Sequence, residues 1–104
     1  MVADEVGTSH YVVTRAPGPD WDTARAMREQ DGWDGHAAFM DALAADGFIV
    51  LGGPLGDDTR FLHVVAAASP EEIEARFAAD PWTAADRLRL VSIEPWEVLL
   101  RSGP

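Results

Sequence analysis

Residues 60–68 constrain the fold of this chain most, because as a β-strand they would leave almost no face for water. Side chains alternate between the two faces of a strand, and here both faces are apolar except at His63. One face consists of Phe61, His63, Val65 and Ala67, and the other of Leu62, Val64, Ala66 and Ala68. A strand of this kind has to be covered on both sides.

The residues at the start of the chain predict one strand followed by a helical region. Residues 10–15 are β-branched or aromatic, which favours a strand, and the prolines and glycine of residues 16–20 end it. Residues 21–30 contain no proline and predict a short helix. Residues 33–46 carry apolar residues at helical spacing and predict the main helix, which Gly47 ends.

A hairpin is predicted next, because two apolar segments flank a turn. Residues 48–51 favour a strand that Gly52-Gly53-Pro54 ends. Residues 56–58, Gly-Asp-Asp, provide the turn into residues 60–68.

The residues after the hairpin predict a helix, a break and a last strand. A serine cap followed by proline predicts a helix over residues 70–79, which Asp80-Pro81 ends. Residues 83–88 are expected to be helical. Residues 90–100 favour a strand in which Pro95 marks a bend, a bulge or a sheet edge.

The predicted order of elements is β-α-β-β-α-β, in a single domain spanning residues 1–104. This order suits a ferredoxin-like α+β fold, with a four-stranded antiparallel sheet and both helices on one face. Because two helices cover only one face, the second apolar face of residues 60–68 predicts a homodimer packed sheet to sheet. Residues 1–8 are expected to be a disordered N-terminus.

The charge and the amino-acid composition exclude several classes of function. Eight basic against eighteen acidic residues give a net charge of −10, which would repel the phosphates of nucleic acid and of anionic membranes. The absence of cysteine excludes disulfides, thiolate catalysis and cysteine-ligated metals. The start of the chain is acidic and lacks the apolar region of a secretory signal, and no apolar run approaches about twenty residues. We therefore expect a cytoplasmic protein with neither nucleic-acid nor membrane partners.

His36 and Asp80 are the strongest candidates for acid–base chemistry. His36 lies near the start of the main helix, and histidine is the side chain best suited to move protons near neutral pH. Asp80 is a carboxylate that the fold could bring to it, fixing the tautomer of the ring. Each residue also has a structural interpretation. A lone histidine often forms a hydrogen bond with a backbone group, and an aspartate before proline often accepts one from its own backbone.

The other candidate residues carry weaker signals. Gly53 and Pro54 belong to a segment that could present backbone N–H groups to a ligand, although glycine more often ends a strand. Trp33 and Trp82 are expected to pack in the core or at the dimer contact, and Trp82 could also form a wall of the pocket. His63 lacks the close ligand spacing of metal sites, so neither a metal nor another cofactor is expected.

Five short motifs, in this order, resemble the YciI-like (YCII-related) family. They are Trp33-Asp34-Gly35-His36-Ala37-Ala38-Phe39, Gly47-Phe48-Ile49-Val50-Leu51-Gly52-Gly53-Pro54, Ala68-Ser69-Pro70-Glu71-Glu72, Asp80-Pro81-Trp82 and Pro95-Trp96. The resemblance covers residues 11–100. It implies a ferredoxin-like fold that dimerises into an α+β barrel, and an active site in which His36 pairs with Asp80. Two positions differ, since many relatives have arginine at Trp33 and glycine at Asp86.

The first functional hypothesis is a small dimeric enzyme that needs no cofactor. His36, oriented by Asp80, would move a proton on a small cyclic or aromatic substrate, in lyase or isomerase chemistry. The residues expected to bind that substrate are Gly53, Pro54, Trp82, His63 and Trp33. The alternative is a non-catalytic ligand-binding or accessory domain in which the pair braces the structure. A third hypothesis is a cofactor-free oxygenase of the kind found on similar α+β barrels, and it is based on the analogy of fold alone.

Overall fold

Four antiparallel strands form one sheet in the order β2-β3-β1-β4. The computed structural model describes residues 8–103, so the expectation for the N-terminus lies outside the described residues except at Thr8. The elements are β1 (Ser9–Pro17), α1 (Trp33–Ala45), β2 (Ile49–Leu55), β3 (Arg60–Ala67), α2 (Pro70–Ala78), α3 (Pro81–Ala84) and β4 (Leu88–Pro95). The ferredoxin-like α+β fold is confirmed, with α3 as an additional short helix between α2 and β4.

The core lies between one face of the sheet, called the inner face here, and helices α1 and α2. Val13 of β1 and Val65 of β3 are completely buried on this face. Ile73 of α2 and Leu43 of α1 pack against them. Burying each such side chain stabilises the fold by about 1.5–3 kcal/mol, so this cluster holds the helices against the sheet.

Residues 21–30 do not form the predicted helix, and only a single 3-10 turn, Met27–Glu29, occurs there. The buried side chain of Gln30 donates to the backbone carbonyls of Asp22 and Arg25, and its oxygen accepts from the backbone N–H of Asp22. These bonds satisfy backbone groups that a helix would otherwise pair. A helix of ten residues is marginal by itself, so the tertiary contacts of this loop decide its conformation.

The strands β2 and β4 differ from their predicted bounds. Gly52-Gly53-Pro54 lies within β2 and does not end it. Proline is tolerated there because β2 is an edge strand, where a missing N–H breaks no sheet pairing. The other edge strand, β4, begins earlier than predicted and ends at Pro95. Of the alternatives predicted for Pro95, the sheet edge is confirmed, and the irregularity in the β1–β4 pairing lies between Thr14 and Arg15.

The interpretation of residues 60–68 as a strand is confirmed, and cover over its second face stays a prediction, but the solvated exception made for His63 is wrong. His63 is only 6% exposed, because its side chain lies on the inner face beneath α2. The opposite face, called the outer face here, carries the half-buried Leu62 and Ala66 around Val64. At its edges, Leu51 and Val91 are largely exposed. Among the described residues, no helix has the length and apolar character needed to cross a bilayer.

Candidate active site

His36 is held near the start of α1 by a glycine and a tryptophan. The helix begins after Gly32, which has a φ of 79°, a conformation that favours glycine. A Cβ atom at Gly32 would lie 3.3 Å from Nε1 of Trp82. The imidazole of His36 stacks on that indole, with ring centroids 4.0 Å apart and planes 7° apart. This stacking orients the histidine ring.

Asp80 lies between α2 and α3, where it is completely buried. The side chain of Ser69 caps α2 by accepting from the N–H of Glu72, as the sequence predicted. Asp80 then caps α3, its Oδ1 accepting from the N–H of Trp82 at 2.9 Å. Pro81 fits the first helical position because it has no N–H to satisfy. The structural role expected of an aspartate before proline is therefore present.

The same carboxylate also contacts His36, across a separation of 44 residues. Nδ1 of His36 lies 3.0 Å from Oδ1 and 2.9 Å from Oδ2 of Asp80. An ionised carboxylate only accepts hydrogen bonds, so Nδ1 carries the proton in the neutral ring. Nε2 is then left with its lone pair, and no group among residues 8–103 hydrogen-bonds it. The histidine is thus held in the tautomer that a general base requires.

Arg15 completes the buried cluster, and the sequence analysis missed it. Its Nη2 donates to Oδ2 of Asp80 at 2.7 Å, and the residue is only 1% exposed. The guanidinium also lies over the ring of Phe77, 4.8 Å from its centroid. One signal was present in the sequence. Arg15 alternates with Tyr11 and Val13 along β1, which places a cation on the buried face of the strand.

His36 and Arg15 set the ionisation of Asp80. Burial raises the pKa of Asp80, but the hydrogen bonds from His36 and Arg15 outweigh it, so this pKa lies below its ordinary value. Burial lowers the pKa of Arg15, and Asp80 opposes that change. Asp80 is therefore an anion whose charge Arg15 already balances.

A cleft of about 310 Å³ opens between α1 and the strands β2 and β3, and His36 lines it. All five residues expected to bind substrate also line this cleft: Gly53, Pro54, Trp82, His63 and Trp33. Asp80 does not line it, because it lies behind His36. Apolar side chains make up much of the remaining wall, among them Met27, Met40, Ile49, Phe61 and Leu88. The volume lies at the lower end of the range for small-molecule sites.

His63 is a second histidine of the cleft, with neither ring nitrogen bonded to any of the described residues. Burial, followed by the positive charge of Arg15, lowers the pKa of His63 to about 3. His10 pairs with Ala66 on the outer face, so the three histidines do not converge. In the part of the chain that the structure describes, no cluster of three histidine, aspartate or glutamate side chains could hold a metal.

One of three comparisons with known proteins gives a match. No curated protein and no solved structure is significantly similar to the chain. The model of the YCII-related domain family matches residues 10–97, which include every strand and helix described above except Ser9 at the start of β1, as well as both His36 and Asp80. The chain therefore belongs to the YCII-related domain family.

Proposed function

We propose that this protein is a small enzyme in which His36, oriented by Asp80, moves a proton on a small cyclic or aromatic substrate. One observation supports this proposal more strongly than any other. The carboxylate of Asp80 holds Nδ1 of His36, while Nε2 has no partner among the described residues and belongs to a ring that lines the cleft. A base placed in this way can reach a bound molecule.

The proton transfer follows from the geometry of the cluster. Nε2 of His36 accepts a proton from the substrate, and the ring becomes an imidazolium whose charge Asp80 stabilises. Arg15 keeps Asp80 ionised and in place throughout. The imidazolium then returns the proton to another atom of the substrate. This sequence isomerises the substrate or eliminates a group from it, and it needs no redox partner.

A structural brace is the competing interpretation of the same pair. It accounts for the contacts of Asp80, which caps α3 and binds Arg15 as well as His36. It does not account for a cleft at His36, or for a ring nitrogen that has no hydrogen-bond partner in the described part of the chain. A brace would gain stability from a second hydrogen bond at Nε2. We therefore favour the enzymatic interpretation.

Deuterium exchange tests the proposal without knowledge of the natural substrate. The protein is incubated in D2O with a panel of small cyclic ketones, lactones and aromatic acids, and proton NMR follows their C–H signals. We expect at least one compound to exchange faster than it does with free imidazole at the same concentration. Exchange no faster than the imidazole control for every compound would count against the proposal.

We also propose that a second copy of the chain covers the outer face of the sheet. The apolar side chains Leu62, Val64 and Ala66 form the centre of this face, and none of the helices among residues 8–103 covers it. An uncovered apolar sheet face is typical of an interface. A second copy is the natural partner, because a two-fold axis pairs identical patches.

Sedimentation of the wild type and of two variants tests the dimer. We expect the wild type to sediment with twice the mass of one chain, and Leu62→Glu to sediment as a folded monomer because it places a charge in the interface. Leu99→Glu is the control, since Leu99 is 78% exposed in the segment after β4. Circular dichroism verifies that each variant is folded. A monomeric wild type, or a folded dimeric Leu62→Glu, would refute the interface.

A further inference from the structure

Arg28 is a cation of the cleft wall that has no acidic partner among residues 8–103. It is an exposed residue, and none of the salt bridges of the described residues involves it. Its acidic neighbours are engaged elsewhere, since Glu29 accepts a backbone N–H of the same loop and Asp31 pairs with Arg25. Because Arg28 is both exposed and part of the wall, its positive charge lies where the cleft opens to solvent.

Trp33 holds the guanidinium of Arg28 in place and connects it to His36. The central carbon of the guanidinium lies over the indole, 5.7 Å from the ring centroid, which is within the range of a cation–π contact. The same indole lies 5.8 Å from the imidazole of His36, centroid to centroid. All three side chains line the cleft. A small molecule in contact with His36 therefore reaches Arg28 across a single indole.

The other charged residues of the cleft wall determine where an anionic group of a ligand binds. Arg15 is a second cation of this wall, but Asp80 already neutralises it. Asp41 is a carboxylate of the same wall, and it follows Trp33 by eight residues on α1, which is about 12 Å along the helix axis. Asp41 repels an anionic group and Arg28 attracts it. An anion therefore binds at the end of the cleft where Arg28 lies.

The chemistry of the wall favours a carboxylate over a phosphate. A guanidinium presents two parallel N–H groups that match the two oxygens of a carboxylate, and its single charge balances the single charge of that group. A phosphate ester carries up to two charges, and the common phosphate-binding loop adds a lysine to its glycines. The chain contains no lysine. Apolar side chains make up much of the remaining wall, which suits the hydrocarbon part of an organic acid.

We propose that Arg28 binds a carboxylate of the substrate, which makes small cyclic or aromatic carboxylic acids the substrate class of this cleft. This inference rests on the proposed function, because it names the molecules on which His36 acts. The carboxylate binds at the opening of the cleft, away from the proton that moves. Arg28 therefore fixes the orientation of the substrate against Nε2 of His36 and takes no part in the proton transfer.

Titrations with a matched acid and amide test this site directly. The protein is titrated at pH 7 with benzoate and with benzamide, while proton–nitrogen NMR spectra follow the indole and guanidinium N–H signals. We expect benzoate to shift the Nε–H signal of Arg28 and to bind more tightly than benzamide. Arg28→Gln should weaken the binding of benzoate about 10-fold and leave that of benzamide unchanged. Arg28→Lys keeps the charge and should bind benzoate with intermediate affinity.

Arg89→Gln is the matched control for the titrations, because it removes the same charge from an exposed position of the edge strand β4 that does not line the cleft. It should bind benzoate as the wild type does. Equal affinity of Arg28→Gln and the wild type for benzoate, or no preference of the wild type for benzoate over benzamide, overturns the inference. Tighter binding of phenyl phosphate than of benzoate also overturns it, because Arg28 would then belong to a site for phosphate esters.

Kinetics separate this inference from the proposed function. For an acid that the deuterium screen identifies, Arg28→Gln should raise KM about 10-fold with little change in turnover, because it removes binding that the ground state and the transition state share. If exchange is confined to neutral compounds and His36→Gln abolishes it, the role of Arg28 is refuted and that of His36 remains. If His36→Gln exchanges as fast as the wild type while Arg28→Gln loses affinity for benzoate, the proposed function is refuted and Arg28 remains a carboxylate-binding residue.

Discussion

Lowering the pH from 7 to 5 is expected to remove about 2 kcal/mol from the free energy of unfolding, through His63. The pKa of His63 is lowered from 6.5 to about 3 in the folded protein. Between these values the unfolded chain binds a proton that the folded protein does not, so stability falls as the pH falls. Each pH unit within this window costs about 1.4 kcal/mol, and the whole window on the order of 4 to 5 kcal/mol.

Urea unfolding at pH 5, 6 and 7 measures this effect, with His63→Leu as the test variant. Leucine has a similar size and does not titrate, so the variant should lose the dependence that His63 causes. It should also be more stable than the wild type at pH 5, since two unpaired polar atoms are gone. Parallel pH profiles for the two proteins would show that His63 is protonated or hydrogen-bonded in solution.

Asp80 does not obscure this measurement. Its pKa lies below its ordinary value in the folded protein, so its contribution to stability is present above about pH 4. That contribution is lost only as the pH falls further, through the lowered pKa. The comparison between pH 5 and pH 7 therefore reports on histidine, and any loss from Asp80 appears only in stronger acid.

His36→Gln is expected to lower turnover about 100- to 10,000-fold on any compound that the deuterium screen identifies. The glutamine amide can donate to Asp80 as Nδ1 of His36 does, so the buried contact is kept. It cannot accept a proton from carbon and return it. The free energy of unfolding should therefore change little, while the chemistry is lost.

The same variant separates catalysis from bracing. Steady-state kinetics give the turnover, and urea unfolding of the same preparation gives the stability. His10→Gln is the control, because it makes the same substitution on the other face of the sheet. Unchanged turnover in His36→Gln, together with a loss of a few kcal/mol in His36→Ala, would identify the pair as a structural brace.

Local signals in the sequence were sufficient for most of the fold. The serine and proline before α2 specify its start, because they satisfy or omit backbone N–H groups within one turn. The continuous apolar residues of β3 specify a strand with two apolar faces. The pairing of His36 with Asp80 came from the resemblance to a family, since nothing local joins residues 44 positions apart.

What the sequence determined by itself is the set of elements whose hydrogen bonds and apolar spacing are local: α1, α2, β3 and the hairpin with β2. The tertiary structure decided what depends on distant neighbours. The contacts of Gln30 hold residues 21–30 in a non-helical conformation, and the packing of the strands and helices brings Arg15 to Asp80. It also buried His63 with no hydrogen-bond partner for its ring among the residues that the structure describes. Burial of a charge or a polar ring depends on the whole packed core, and spacing along the chain does not encode it.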